Sequence, residues 1–262
     1  MRAFACALAA SALALGGAAE AAPKRAASLK LCTDEILLAL AEPERIASVT
    51  YLAQEPLETP MWQQARRHVR NDGSLLSVTR HRPELVFDMG GGGRDAERIA
   101  RRLGIRLITL PYPQRLNDIK AMIRTMAAEL ERKAAGEQLV ARIAALERTA
   151  PRRQADTIWL GGGGRSVAAE GLTADWMRLA GFRQRPLSGD RISLEQLLVS
   201  PPAILLRSDY RANQYSGEQR WLSHPMAKAN RRAKTIATDG RRWTCMGPPM
   251  IDEIERLRKV AR

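Results

Sequence analysis

The run from Gln114 to Arg148 constrains this chain more than any other stretch, because it reads as one long amphipathic helix between two similar segments. Leu116, Ile119, Met122, Ile123, Met126, Leu130, Leu139, Val140, Ile143 and Leu146 recur mostly three and four apart, with charged residues between them. That spacing marks a helix with a single apolar stripe. If continuous it would be about 50 Å long, more than the width of one small domain. Its soft point is Lys133 to Gly136, where glycine costs roughly 1 kcal/mol relative to alanine and can divide the run into two helices.

The same local pattern lies on both sides of this spine. Leu85–Met89 is a short apolar strand followed by four glycines, Gly90 to Gly93, then Arg94 and a helix that closes at Gly104. Asp156 to Leu160 leads likewise into Gly161 to Gly164, Arg165 and a helix ending at Gly181. A repeat of this kind predicts two related α/β lobes rather than one sheet. The expected organisation is a signal peptide over 1–21, an N-terminal α/β lobe over 22–113, an inter-lobe helix over 114–149 and a C-terminal α/β lobe over 150–262.

With 262 residues, each lobe has about 100 residues, enough to bury its own core. Arg2, the apolar stretch Ala3 to Gly17 and the small-x-small site Ala19-Glu20-Ala21 predict an exported chain that matures near Ala22. Cys6 lies too early, with the wrong neighbours, for a lipoprotein cysteine. Export leaves the formal charge of +14 unchanged, since cleavage removes one cation and one anion. A charge this basic suits nucleic acid, yet the cations are scattered and no recognition motif accompanies them. An anionic small ligand or surface solubility is the preferred reading, and no nucleic-acid partner is expected.

The mature chain keeps Cys32 and Cys245. In an oxidising compartment a disulfide leads the readings, with free thiols or a soft-metal pair as alternatives. Strands are expected at Ala27 to Leu31, Ile46–Thr50, Leu85–Met89, Arg106–Leu110, Thr157 to Leu160, Ala203 to Leu206 and Thr235 to Ala237. Thr33 is the expected N-cap of the first helix, with Asp34 and Glu35 in its first turn; Ser193 caps a later one. Alternating strands and helices give parallel sheets, whose ligands sit at the strands' carboxyl ends. There fall Cys32, Tyr51, both glycine-arginine loops, Tyr112, Asp209 and Trp243.

Neither glycine loop reads as G-x-G-x-x-G, because Asp95 and Ser166 occupy the last position, and no P-loop is present. His68, His81 and His224 lack metal-ligand spacing, and no nucleophile elbow or standout carboxylate pair appears. Hence no catalytic residue, no metal site and no cofactor is expected. The alternative is an exported enzyme acting on a phosphorylated or anionic small molecule in the interlobe cleft. A further rival keeps the fold and binds bare ferric iron through Tyr51, Tyr112, Tyr210 or Tyr215.

Several segments in order carry a family resemblance. They are Ser28 to Ile36, Arg82 to Phe87, Gly92 to Ile99, Ser193 to Leu198 with Ser200 to Leu205, and Arg242 to Pro249. In these the chain resembles the class III, helical-backbone periplasmic binding proteins of ABC importers, which receive cobalamin, ferric siderophores and haem. The resemblance covers nearly all of the mature chain. It implies two Rossmann-like lobes with parallel sheets joined by a long α-helix, a ligand cleft between them and a periplasmic location. The implied partners are a bulky small-molecule ligand and an inner-membrane ABC permease, with the protein itself monomeric.

By position, the resemblance implies that Glu97 and Glu195 dock onto permease arginines. It places Cys32, Tyr51, Asn71, Gly92, Arg94, Tyr112, Arg165, Tyr210, Trp243 and Cys245 at the cleft. Trp243 matches a cleft tryptophan of the family, whose planar ring suits a macrocycle. Arg94 and Arg165 would pair with carboxylate or phosphate groups of the ligand. Cys32 and Cys245 depart from the cobalamin-binding member, so they would either staple the lobes or touch the ligand.

Overall fold

A computed structural model describes residues 25–91, 93–211, 224–225 and 233–261, with the side chains of Gly93 and Arg94 left aside. The segment read as a signal peptide, together with Gly92 and Tyr215, lies outside the described residues. Among the described residues no helix is long and apolar enough to cross a membrane.

The N-terminal lobe comprises β1 (Ala26–Ser28), α1 (Leu31–Leu40), β2 (Ile46–Thr50), α2 (Trp62–Ala65), β3 (Arg70–Asn71), α3 (Leu75–Thr79), β4 (Leu85–Met89), α4 (Gly93–Arg102) and β5 (Arg106–Leu110). Its sheet runs in the order β3-β2-β1-β4-β5, every pairing parallel. β2 and β4 are buried at every position, as strands covered on both faces must be; a continuous apolar run such as Leu85-Val86-Phe87 suits that place.

The connection is α5 (Leu116–Glu129) followed by α6 (Lys133–Arg148). The C-terminal lobe then contains β6 (Ala155–Leu160), α7 (Leu172–Ala180), β7 (Phe182–Gln184), α8 (Leu194–Val199), β8 (Ile204–Ser208), β9 (Lys234–Thr238), α9 (Arg242–Cys245) and α10 (Pro249–Ala261). Its parallel sheet has the order β7-β6-β8-β9. The α/β class and the two parallel sheets agree with the sequence reading.

The spine is not one rod. Glu131, in the left-handed region at φ 59°, turns the chain between α5 and α6, which fold back antiparallel on each other. Lys120 pairs with Glu147 at 2.9 Å and Arg124 with Glu137 at 2.7 Å along this hairpin. The break falls at 130–132 rather than at Gly136. Gly136 is a packing residue instead, since a methyl there would overlap the Ala127 methyl of α5.

The first helix also differs from expectation. It begins at Leu31, with Lys30 at the cap, and Thr33 sits inside it. The Thr33 hydroxyl donates to the Lys30 carbonyl and shares a hydrogen bond with Ser28. β3 and β7, both short, are additions that the sequence pattern does not indicate.

One apolar cluster runs from Ile36 and Phe87 through Ile123 and Ile143 of the hairpin to Trp176 and Ile254. The inner faces of both sheets therefore share a core through the hairpin. The outer faces keep separate clusters, Val78 with Val86 in one lobe and Ile158 with Leu205 in the other.

Candidate functional site

In each sheet the chain first builds outward on one side and then returns to build on the other. The reversal lies between β1 and β4 in the first sheet and between β6 and β8 in the second. Loops leaving adjacent strands there diverge, which opens a crevice at the carboxyl ends. Both four-glycine turns leave from these points, the first after β4 and the second after β6.

Gly90 and Gly91 have φ of 83° and 91°, and Gly163 and Gly164 have φ of 64° and 73°, a region that favours glycine. A side chain at Gly90 would collide with the Tyr112 ring, which therefore lies directly over the first turn while staying 63% exposed. The second turn closes differently. Gly161 N–H donates to the Arg165 carbonyl at 2.8 Å, and Arg165 forms an antiparallel bridge with Arg191. Only the first turn runs directly into a helix, so the two copies share a strand and a turn but diverge after the fourth glycine.

The carboxyl ends of the two sheets face each other across a tight seam. Cys32, the second residue of α1, is bonded to Cys245, the last of α9, across 213 residues of sequence. The loop after β2 adds further ties. Arg241 donates to the Pro56 carbonyl at 2.8 Å, and the Tyr210 hydroxyl donates to Glu58 at 2.9 Å. Arg211 pairs with the same carboxylate. A recess of about 190 Å³ opens among Pro56, Leu57, Asp209, Tyr210, Asp239 and Arg241. A second, of about 180 Å³, lies at the end of β2 against Lys30, Tyr51 and Asp72.

Two carboxyl groups on α1 escape sequence reasoning. Asp34 and Glu35 fit the pattern of exposed first-turn acids, yet both are buried. Asp34 accepts from the Thr50 hydroxyl and from the Thr50 N–H at 3.1 Å, and burial still lifts its pKa to about 7. Glu35 accepts from the Thr59 hydroxyl at 2.6 Å, and burial, aided by neighbouring Asp34, lifts it to about 8. Its second oxygen has no hydrogen-bond partner and faces Gly247 of the other lobe. No sequence signal distinguishes such acids from surface ones, because what surrounds them is distant in sequence: Thr50 against Asp34, and Thr59 with Gly247 of the second lobe against Glu35.

The predicted cleft residues separate into groups. Tyr51 is 48% exposed beside its recess, and Tyr112 covers the first glycine turn. Tyr210 is held at the seam by Glu58. Asn71 is buried, with its amide donating to the Ser28 carbonyl and the Ser48 hydroxyl, so it ties three strands together. Trp243 is 7% exposed. Its indole N–H donates to the Thr238 hydroxyl at 2.7 Å and its ring meets Trp159 edge-on with centroids 6.3 Å apart, which places it in the core of its lobe. Gly92 and the Arg94 side chain are not described. Glu97 and Glu195 are both exposed, on α4 and α8, one in each lobe. Among the described residues no cluster of three His, Cys, Asp or Glu is arranged to hold a metal. At the seam itself the described contacts are the disulfide, the Tyr210 phenol with Glu58, and Arg241 with the Pro56 carbonyl.

Solved structures share this fold over nearly the whole chain. The periplasmic heme-binding protein HutB of Vibrio cholerae superposes with a TM-score of 0.67 at 16% identity, over 91% of this chain and 98% of its own. RhuT, a periplasmic heme-binding protein from Roseiflexus sp. RS-1, gives 0.66 at 21% identity over 92% and 100%. BtuF, the periplasmic vitamin B12 binding protein of Vibrio cholerae, gives 0.63 at 17% over 90% and 96%. The chain has the fold of these periplasmic binding proteins. No protein-family model matches it and no curated protein matches it by sequence.

Proposed function

We propose that this chain is the ligand-capturing component of an ABC importer, exported to the periplasm, holding a bulky metal chelate between its lobes. Ferric siderophore, corrinoid and haem are the candidate classes. One observation supports this above all others: two parallel sheets, tied to each other at their carboxyl ends, build a fold shared over 90–92% of the chain with binding proteins for heme and vitamin B12. Tyr51 and Tyr112 supply exposed ring faces for a large planar ligand. Gly92, Arg94 and Arg165 belong to the glycine turns and would meet its anionic groups. Glu97 and Glu195 are the proposed contacts with the permease, and the protein acts by binding rather than catalysis.

The deciding experiment is purification from the periplasm, followed by mass spectrometry of co-purified small molecules and titration with haemin, cyanocobalamin and a ferric siderophore. Saturable binding of one of them with a visible absorbance change is expected. Absence of saturable binding to all three would overturn the reading.

A further inference from the structure

The two lobes are joined twice, by the α5–α6 hairpin on one side and by the Cys32–Cys245 bond on the other. A pair of bodies held at two places cannot rotate about either one. The second tie is the only covalent one a reagent can remove without cutting the chain. Its two sulfurs are unequally placed: Cys32 is partly exposed, whereas Cys245 is 4% exposed. Cys32 also stands in the first turn of a ten-residue helix whose cap, Lys30, makes no side-chain hydrogen bond, so backbone N–H groups are free to stabilise a thiolate there.

From this geometry we infer that Cys32–Cys245 is a redox-active lock on the lobe seam, opened by a dithiol donor and closed by a disulfide oxidant, and that its state sets how far the lobes separate. The partner class is a dithiol–disulfide oxidoreductase. A partner thiolate attacks the accessible Cys32 sulfur and the Cys32–Cys245 bond breaks, with the Cys245 thiolate leaving. That thiolate takes a proton from solvent as the seam loosens. The partner's second thiolate then attacks the mixed disulfide and releases Cys32 as a thiolate at the start of α1. Two electrons pass, so the partner dithiol becomes a disulfide and the lock becomes two thiols. Among the described residues the seam then keeps non-covalent ties, including Glu58 with Tyr210 and Arg211, Arg241 with the Pro56 carbonyl, and the shared apolar cluster. The lock operates in the same way whichever ligand the groove takes, or if it takes none.

The test is interlobe distance by pulsed electron resonance on the periplasmic protein. Labels are attached by thiol-independent chemistry at Leu76 on α3 and Val199 on α8, both widely exposed. The oxidised protein is expected to give one narrow distance. Reduction with dithiothreitol should shift it to a longer, broader distribution, and reoxidation should restore it. Cys32→Ser with Cys245→Ser should match the reduced protein; if that variant does not fold, the chemically reduced chain decides alone. An unchanged narrow distance after complete reduction would overturn the lock, as would a bond that dithiothreitol reduces only in denaturant.

Discussion

The Tyr210 phenol donates to the Glu58 carboxylate at 2.9 Å, reaching from the C-terminal lobe into the loop after β2 of the other. Arg211 pairs with the same carboxylate, and Glu58 is 9% exposed. A carboxylate so enclosed is stable only while both partners satisfy it. Glu58→Ala would leave the phenol and the guanidinium facing a gap. We expect it to cost about 1 to 3 kcal/mol of unfolding free energy, with Glu58→Gln losing less because it keeps an acceptor. Urea unfolding of the three proteins at one pH checks this, and equal midpoints would mean that the contact contributes nothing.

Glu35 makes stability depend on pH in a predictable direction. Burial raises its folded pKa to about 8 from an ordinary 4.5, so the folded chain holds the proton more tightly than the unfolded one. Its contribution is complete below the unfolded value and is lost as pH rises toward 8. Glu35→Gln removes that loss. Relative to the wild type, the variant should gain on the order of 4 kcal/mol between about pH 5 and about pH 9. Asp34, raised to about 7, slopes the same way but is common to both proteins. Thermal unfolding across that range decides, and parallel profiles would contradict the assignment.

Gly136 reverses the usual rule for a helix interior. Replacing glycine by alanine there commonly gains about 1 kcal/mol. Here the new methyl would overlap Ala127 across the hairpin, and overpacking of this kind typically costs about 1 to 3 kcal/mol. Gly136→Ala is therefore expected to destabilise, and adding Ala127→Gly should recover most of the loss. A stabilised single variant would show that the two helices are not held this closely.

Much of this architecture is legible in the residues. Apolar runs such as Leu85-Val86-Phe87, ended by glycine, mark buried parallel strands, and the period of Leu116 to Leu146 marks helix. What escapes is set by partners distant in sequence. β3 spans two residues and exists because Val49 and Thr50 pair with Arg70 and Asn71. The hairpin turn has no glycine at its left-handed residue, Glu131, so the softer Gly136 attracts the prediction instead. Asp34 and Glu35 look like surface acids until Thr50 covers the first and Thr59 with the opposite lobe covers the second. Tyr51 and Tyr112 stand at strand ends as expected, whereas Asn71 and Trp243, chosen by position, satisfy their polar atoms inside a lobe.

That contrast separates rings that hold the fold from rings offered to a ligand. Trp243 is buried, hydrogen-bonded to Thr238 and packed against Trp159, so Trp243→Ala should cost about 3 to 5 kcal/mol of stability. Tyr112 is mostly exposed and rests on a glycine turn; Tyr112→Ala should move stability by only about 0.5 kcal/mol. If the groove holds a large planar chelate, loss of that ring should weaken binding roughly tenfold, the equivalent of one good aromatic contact. Unfolding midpoints and titration with haemin or cyanocobalamin on both variants separate the roles. Undiminished affinity in Tyr112→Ala would take that ring out of the binding surface, and an unaltered midpoint in Trp243→Ala would place the indole outside the core.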